Sequence, residues 1–398
     1  MTQLPKRLLS IDIFRAFTMF LMIFVNDLWS LKGVPLWLDH ATVTEDTLGF
    51  ADTIFPAFLF IVGLSIPPAI SARIAKGGSQ KNILAYISAR SFALLVMGFY
   101  HVNLENYNKA GALLPKPVWQ ILITVGFFLV WLDYSPSFQK RAKAILQWTG
   151  VSILILMAVF YNGLNEQGIV WMRPQWWGIL GLIGWAYLLC AVIFYYSKSR
   201  ISVLTGALIF FSLFNILVNT GWLDFLDPLK SYIWIVGNGS MPALTMAGIL
   251  VSCLYLKFRD NKSRYYWLTL SAIGIFMLAG GFVLRPFLGG ISKIRATPSW
   301  VMICTGISIF CFMLFNYLID IKNEQNWFAV IMPAGTSTLT VYLLPYIHYA
   351  FYNIFYPASA LPLMLRTGSI GIIKSLLYSL VIIMITGLLE KKRIRLKI

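Results

Sequence analysis

Between positions 27 and 52 the chain places Asp27, Asp39, Glu45, Asp46 and Asp52, a third of its 15 acidic residues, together with His40, one of three histidines. An imidazole beside a carboxylate is a common device of acid–base and nucleophilic catalysis. The carboxylate fixes one ring tautomer and stabilises the protonated ring. Asp52 opens an apolar run, Ala51-Asp52-Thr53-Ile54-Phe55-Pro56, and is the candidate to hold His40 in this way. Each residue also has a plain structural role. A loop histidine next to Asp39 is commonly solvated, and an acid in a first helical turn is favoured by the helix dipole.

Upstream, the run Ser10–Asp27 is apolar with polar groups at both ends. Asp12 and Arg15 are spaced i,i+3 and pair on one helical face. Arg15 and Asn26 lie about three turns apart, roughly 16 Å along a shared face. Such a stripe faces a bundle interior or a water-filled cavity, where it serves either a reaction or an ion pair with an interhelical hydrogen bond. His101 ends another run and reads as an interfacial polar residue among aromatics. His348, near a helix break, reads as a packed, hydrogen-bonded side chain. Gly178, Gly181 and Gly184 mark close helix packing rather than a phosphate loop. The four cysteines (Cys190, Cys253, Cys304, Cys311) all lie in apolar runs without CxxC spacing, so neither disulfides nor a metal site is expected.

These residues need elements to hold them, and the composition names the solvent of those elements. The 398 residues are 59% hydrophobic and 12% charged, with a mean hydropathy of +0.75. A soluble chain is about 25% charged. The composition therefore predicts an all-α, polytopic integral membrane bundle of about 10–12 transmembrane helices at ~20 residues each. Apolar runs fall near 10–29, 51–72, 83–104, 118–133, 144–161, 176–196, 201–219, 240–258, 265–284, 298–319, 327–356 and 367–389. The run 327–356 holds Pro333 and Pro345 and should be kinked or broken.

With a cytoplasmic N-terminus, more than twice as many lysines and arginines fall on the inner side as on the outer. Both termini are therefore expected inside. The net charge of +17 then reads as orientation, and no nucleic-acid partner is implied. The expected organisation is one membrane domain over 1–398, with a chemistry-bearing segment at 7–72. A secondary transporter shares this layout, but the halves 1–200 and 201–398 show no convincing repeat. Faces of small residues suit either a homodimer or the packing of a monomer.

The segment Arg7-Leu8-Leu9-Ser10-Ile11-Asp12-Ile13-Phe14-Arg15, followed by Phe24-Val25-Asn26, resembles the opening of the heparan-α-glucosaminide N-acetyltransferase family. Asp39-His40-Ala41, the run Ala51–Ile66 and Arg90-Ser91-Phe92 continue the likeness. Gly239–Leu244, Ile291–Ile294 and Pro333–Ser337 resemble later blocks. The resemblance implies a transmembrane acyltransferase that moves an acetyl group from cytoplasmic acetyl-CoA to an amino sugar or glycan across the bilayer. His40, Asn26 and Asp52 would be catalytic, and Arg7, Arg15 and Arg90 would hold the phosphates of acetyl-CoA, with no metal. The compact chain suits a bacterial-type homologue in an inner (plasma) membrane. It departs from the family at Ala16, where glycine is usual, at Gln120-Ile121, where a glutamine-arginine pair is usual, and over 176–219, which has no clear counterpart.

Overall fold

In hydrocarbon only an internal hydrogen-bond ladder satisfies the backbone, so long apolar runs fold as helices. The computed structural model describes residues 8–166, 168–230, 232–258, 264–356 and 362–398. Its main elements are α1 (Leu9–Asp27), α2 (Ala51–Ala75), α3 (Gln80–Asn103), α4 (Lys116–Trp131), α5 (Lys140–Val159), strands β1 (Gly163–Asn165) and β2 (Gly168–Val170), α6 (Ile179–Ser197) and α7 (Ile201–Asn219). They continue with a short α8 (Asp227–Lys230), α9 (Ser240–Phe258), α10 (Arg264–Leu284), α11 (Pro298–Phe315), α12 (Met332–Thr336), α13 (Thr338–Phe355) and α14 (Gly368–Lys391).

Among the described residues, 10 helices are long and apolar enough to cross a membrane. The protein is a polytopic helical membrane protein, as the composition requires. Two of the twelve expected runs differ from a full span. The run at 118–133 forms α4, a shorter apolar helix. The run at 327–356 is broken, as its prolines suggest, but the break is at Ser337, with φ −125° and ψ 42°. Pro333 sits in the first turn of α12, where its missing N–H leaves nothing unsatisfied. Pro345 lies inside α13.

The chain divides into two compact units: Met1–Thr18 with Pro35–Leu95 and Leu182–Trp327, and Met19–Val34 with Val96–Gly181 and Phe328–Ile398. In the first unit α2 packs along α9 and also meets α11, while α10 packs on α11. The α2–α9 contact is made backbone to backbone. A Cβ on Gly63 would collide with the Thr245 carbonyl, and one on Gly248 with the Phe60 carbonyl. Small residues permit this approach, and dispersion between the close helices replaces a hydrophobic driving force that lipid cannot supply. The Trp300 indole of α11 is fully buried and donates to the Asp52 carbonyl at 3.2 Å, which ties the start of α2 to α11.

In the second unit α4 packs on α5 and α13, and α14 on α12 and α13. The Trp119 indole donates to the Met157 carbonyl at 2.8 Å, and Gln120 donates to the Tyr346 carbonyl at 2.7 Å. Gly98 of α3 lies against Gly181, where any Cβ would strike the facing backbone. The glycines at the start of α6 thus do serve close packing. An antiparallel hairpin pairs Gly163 with Val170 and Asn165 with Gly168; apolar periodicity carried no signal for it. The C-terminal tail is held by Asp133, which accepts from Arg395 at 2.9 Å and Lys397 at 3.1 Å.

Gly248→Val tests the α2–α9 seam. Overpacking of this kind costs about 1–3 kcal/mol, so the purified variant should melt several degrees lower. An unchanged melting temperature would show that the seam has room to adjust.

Candidate active site

Asp52 is 1% exposed at the start of α2, and a buried carboxylate must be fully hydrogen-bonded. Its Oδ1 lies 2.7 Å from His40 Nδ1. Its Oδ2 accepts the Ala41 amide at 3.0 Å and the Gly49 amide at 3.3 Å. The loop closes tightly for this purpose: Gly49 abuts the Asp39 carbonyl so closely that no Cβ would fit. His40 and Asp52, paired on sequence grounds, are thus brought together, while the His40 ring stays exposed. An ionised Asp52 selects the tautomer with the proton on Nδ1, which leaves the Nε2 lone pair as base or nucleophile.

A second loop supplies a residue that the sequence alone did not assign. Lys293 Nζ lies 3.2 Å from His40 Nδ1 and 3.9 Å from Asp52 Oδ1. The Lys293 ammonium pKa is lowered, chiefly by burial, with the Asp52 charge opposing the shift. Lys293 is delivered by a clamp between loops. Arg285 Nε donates to both carboxylate oxygens of Asp46, at 3.0 and 2.9 Å, and Arg285 Nη2 to the Asp46 carbonyl at 2.8 Å. The Ile291 amide adds a bond to Asp46 Oδ1 at 2.6 Å. The Ile291 amide, then the Arg285 guanidinium, hold the Asp46 carboxyl below its usual range, against the burial that raises it. Gly290 makes the clamp possible: its φ is +78° and a Cβ there would sit 2.6 Å from the Asp46 carboxyl. The available signal was charge complementarity between the acids of 39–52 and the bases Arg285, Lys293 and Arg295 of the other loop.

The predicted phosphate-binding residues separate into three cases. Arg7 lies outside the described residues. Arg15 pairs with Asp12 at 3.0 Å, as the i,i+3 spacing implies, and donates to Ser65 Oγ of α2 at 2.6 Å. Arg90 has no carboxylate partner among the described residues. Its Nη1 donates to the Tyr86 hydroxyl at 3.2 Å, and its guanidinium lies 5.0 Å from the Tyr187 ring centroid. Its Nε is buried without a hydrogen-bond partner. Arg73 stacks on the same Tyr86 ring at 3.4 Å. Two guanidiniums thus lie around one phenol. At 1.5 Å per residue, Ser65 lies about 20 Å and Arg73 about 30 Å along α2 from Asp52. The cationic cluster and the histidine centre therefore occupy opposite ends of one helix.

Asn26 belongs to the second unit. It is exposed at the end of α1, its side chain makes no hydrogen bond among the described residues, and it lines a cavity there. Asp27 is buried in the second unit and paired with Lys374. His101 is buried among aromatics, its ring 4.4 Å from that of Tyr346. His348 is exposed and bonded to the Tyr378 hydroxyl at 3.1 Å. Among the described residues no cluster of three or more His, Cys, Asp or Glu is placed to hold a metal.

Residues 7–99, which carry Asn26, His40, Asp52, Arg15 and Arg90, match the family model described as heparan-alpha-glucosaminide N-acetyltransferase, catalytic. The resemblance read from the motifs is real over that segment. The chain is 38% identical over 108 residues to heparan-alpha-glucosaminide N-acetyltransferase of Homo sapiens, an alignment covering 27% of this chain and 15% of that protein. It is 36% identical over 103 residues to the same-named protein of Mus musculus, covering 26% of this chain and 15% of the relative. The chain thus spans under a sixth of either relative's length. Lys293, Arg285 and Tyr187, the ring beside Arg90, lie beyond the family match.

Lys293→Met separates function from stability. A lysine with a lowered folded pKa binds fewer protons folded than unfolded at pH between the two values, so its stability contribution improves as pH rises through that window. Burial penalises the charged form of the side chain. Lys293→Met is therefore expected to melt no lower than wild type at pH 7, yet to lose activity at least tenfold, a typical scale for a misplaced acid–base group. Equal loss of folding and activity would make Lys293 a structural residue only.

Proposed function

We propose that the protein is a transmembrane N-acetyltransferase that moves an acetyl group from cytoplasmic acetyl-CoA to the amine of an amino sugar or glycan on the other side of the membrane. The observation that carries this reading is the buried Asp52 bonded to Nδ1 of an exposed His40, within the segment that matches the acetyltransferase family. Both termini lie in the cytoplasm in this reading, the membrane is a bacterial inner membrane, and the whole chain acts as one acyltransferase domain.

His40 Nε2 removes the proton from the acceptor amine as its nitrogen bonds to the thioester carbonyl. The tetrahedral intermediate then expels the thiolate, which takes the proton back from the imidazolium, and an amide results. Asp52 stabilises the imidazolium, and a donor of the Asn26 kind stabilises the oxyanion. The same lone pair serves the alternative route, in which the imidazole itself carries the acetyl group and releases it to the amine. Arg90, Arg73 and Arg15 take the donor's phosphates at the far end of α2 from His40. Such a spread suits a donor whose reactive carbon sits at the end of a long arm.

Calorimetric titration with acetyl-CoA tests the donor. Arg90→Ala is expected to weaken it about ten- to hundredfold, as loss of charge-assisted hydrogen bonds does. Binding of a donor fragment that lacks the 3′-phosphate and pyrophosphate should be unchanged. Equal acetyl-CoA affinity in wild type and variant would reject the phosphate role, and no binding to wild type would reject the acetyl-CoA donor.

A further inference from the structure

Lys293 brings a primary amine to the histidine centre, and amines are what the proposed reaction acetylates. Its Nζ lies 3.2 Å from His40 Nδ1, yet that ring nitrogen is already engaged by Asp52 Oδ1 at 2.7 Å. A ring nitrogen offers one proton or one lone pair in the ring plane, so it does not serve both partners. Asp52 Oδ1 lies 3.9 Å from Nζ, beyond hydrogen-bond length, and Oδ2 is engaged by the Ala41 and Gly49 amides. The Lys293 side chain is 29% exposed. The clamp of Asp46 on Arg285 and Ile291 thus delivers an amine that is close to His40, open to solvent and loosely held.

We propose that Lys293 is itself an acetyl acceptor, and that the enzyme acetylates its own Lys293 when no other acceptor is present. The inference rests on the acetyltransferase reading for its donor, acetyl-CoA. In the step, the Nζ lone pair bonds to the acetyl carbon. The bond from that carbon breaks, either to the donor sulfur or to His40 Nε2 where the ring has taken the acetyl group. One Nζ proton goes to the departing thiolate or ring nitrogen, and the products are a neutral amide on Lys293 and free coenzyme A. An acetyl group at Nε2 is one ring-width from Nδ1, within the sweep of a flexible four-carbon lysine stem.

The surroundings favour the amine as nucleophile. Burial lowers the Lys293 ammonium pKa, opposed by the Asp52 charge and then by Cys304 of α11, so more of the free amine is present at a given pH than on an ordinary surface lysine. His40, Asp52 and Cys304 are the titratable groups that face it. The Cys304 thiol is the other nucleophile nearby, but that residue is 1% exposed and closed to a donor. An amine tethered at the site reacts as in a unimolecular step, so Lys293 competes with a free acceptor whenever that acceptor is scarce. The product has lost the ammonium beside His40 and Asp52 and carries a larger group in its place. Self-acetylation therefore switches the centre off in proportion to the time it stands loaded and unused.

Peptide mass spectrometry on the purified full chain, incubated with acetyl-CoA and no acceptor, tests the modification. Lys293 is expected to gain one acetyl group faster than exposed lysines do, faster at alkaline than at neutral pH, and more slowly when glucosamine is added. His40→Ala removes an exposed ring, so the variant should fold, and Lys293 acetylation should fall about a hundredfold in it. Transfer to glucosamine should decay during the same preincubation in wild type. It should hold in Lys293→Arg, whose guanidinium is no nucleophile, each protein being measured against its own starting rate. Acetylated glucosamine with Lys293 unmodified would overturn the inference and leave the reaction standing. Equal Lys293 acetylation in wild type and His40→Ala would also overturn it, as reaction without the enzyme's centre. Acetyl on neither glucosamine nor Lys293 would remove the acetyltransferase reading and the inference with it.

Discussion

Burying the Asp52 carboxylate sets the terms for much of the first unit. An ion removed from water must recover its hydrogen bonds from the protein or lose its charge. Asp52 recovers them from the chain that precedes it: the Ala41 and Gly49 amides and the His40 ring. The loop 39–50 must therefore fold back over the start of α2, and Gly49 is small enough to let it. The carbonyl of the same residue takes the Trp300 indole, which fixes α2 against α11. One carboxylate thus couples helix placement to the tautomer of a histidine, and the histidine is the group left facing outward.

The second loop obeys a similar logic. Asp46 gathers Arg285 and the Ile291 amide, and by doing so brings Lys293 to the histidine. In the second unit Asp27 is met by Lys374, Ser375 and Tyr349. Here the carboxylate binds α1 to α13 and α14 and fixes aromatic rings around a cavity. In a chain that is only 12% charged, each of these carboxylates organises a set of helix ends rather than a single contact. Replacing such a pair by apolar groups need not reduce stability; what the charges set is the placement of the groups around them.

What was legible in the sequence follows from periodicity and short range. Apolar runs gave the spans, because a membrane leaves the backbone no other choice. The i,i+3 pair Asp12–Arg15 and the pairing of His40 with Asp52 were readable because few segments separate the partners. The break in 327–356 was legible as to existence but not position: a proline in a first helical turn is harmless, and Ser337 carries the break instead. Lys293, Arg285 and Lys374 were hidden for one reason. Each meets its carboxylate across hundreds of residues, and only the tertiary fold sets such distances.

In the proposed reaction His40, held by Asp52, performs acetyl transfer. The most direct measurement incubates purified wild-type protein and His40→Ala with radiolabelled acetyl-CoA and glucosamine, and counts label in the sugar. Wild type is expected to transfer the label and the variant to lose about 10²–10⁴-fold, the scale of a missing acid–base group, with acetyl-CoA binding retained. Equal transfer by the two proteins would contradict it.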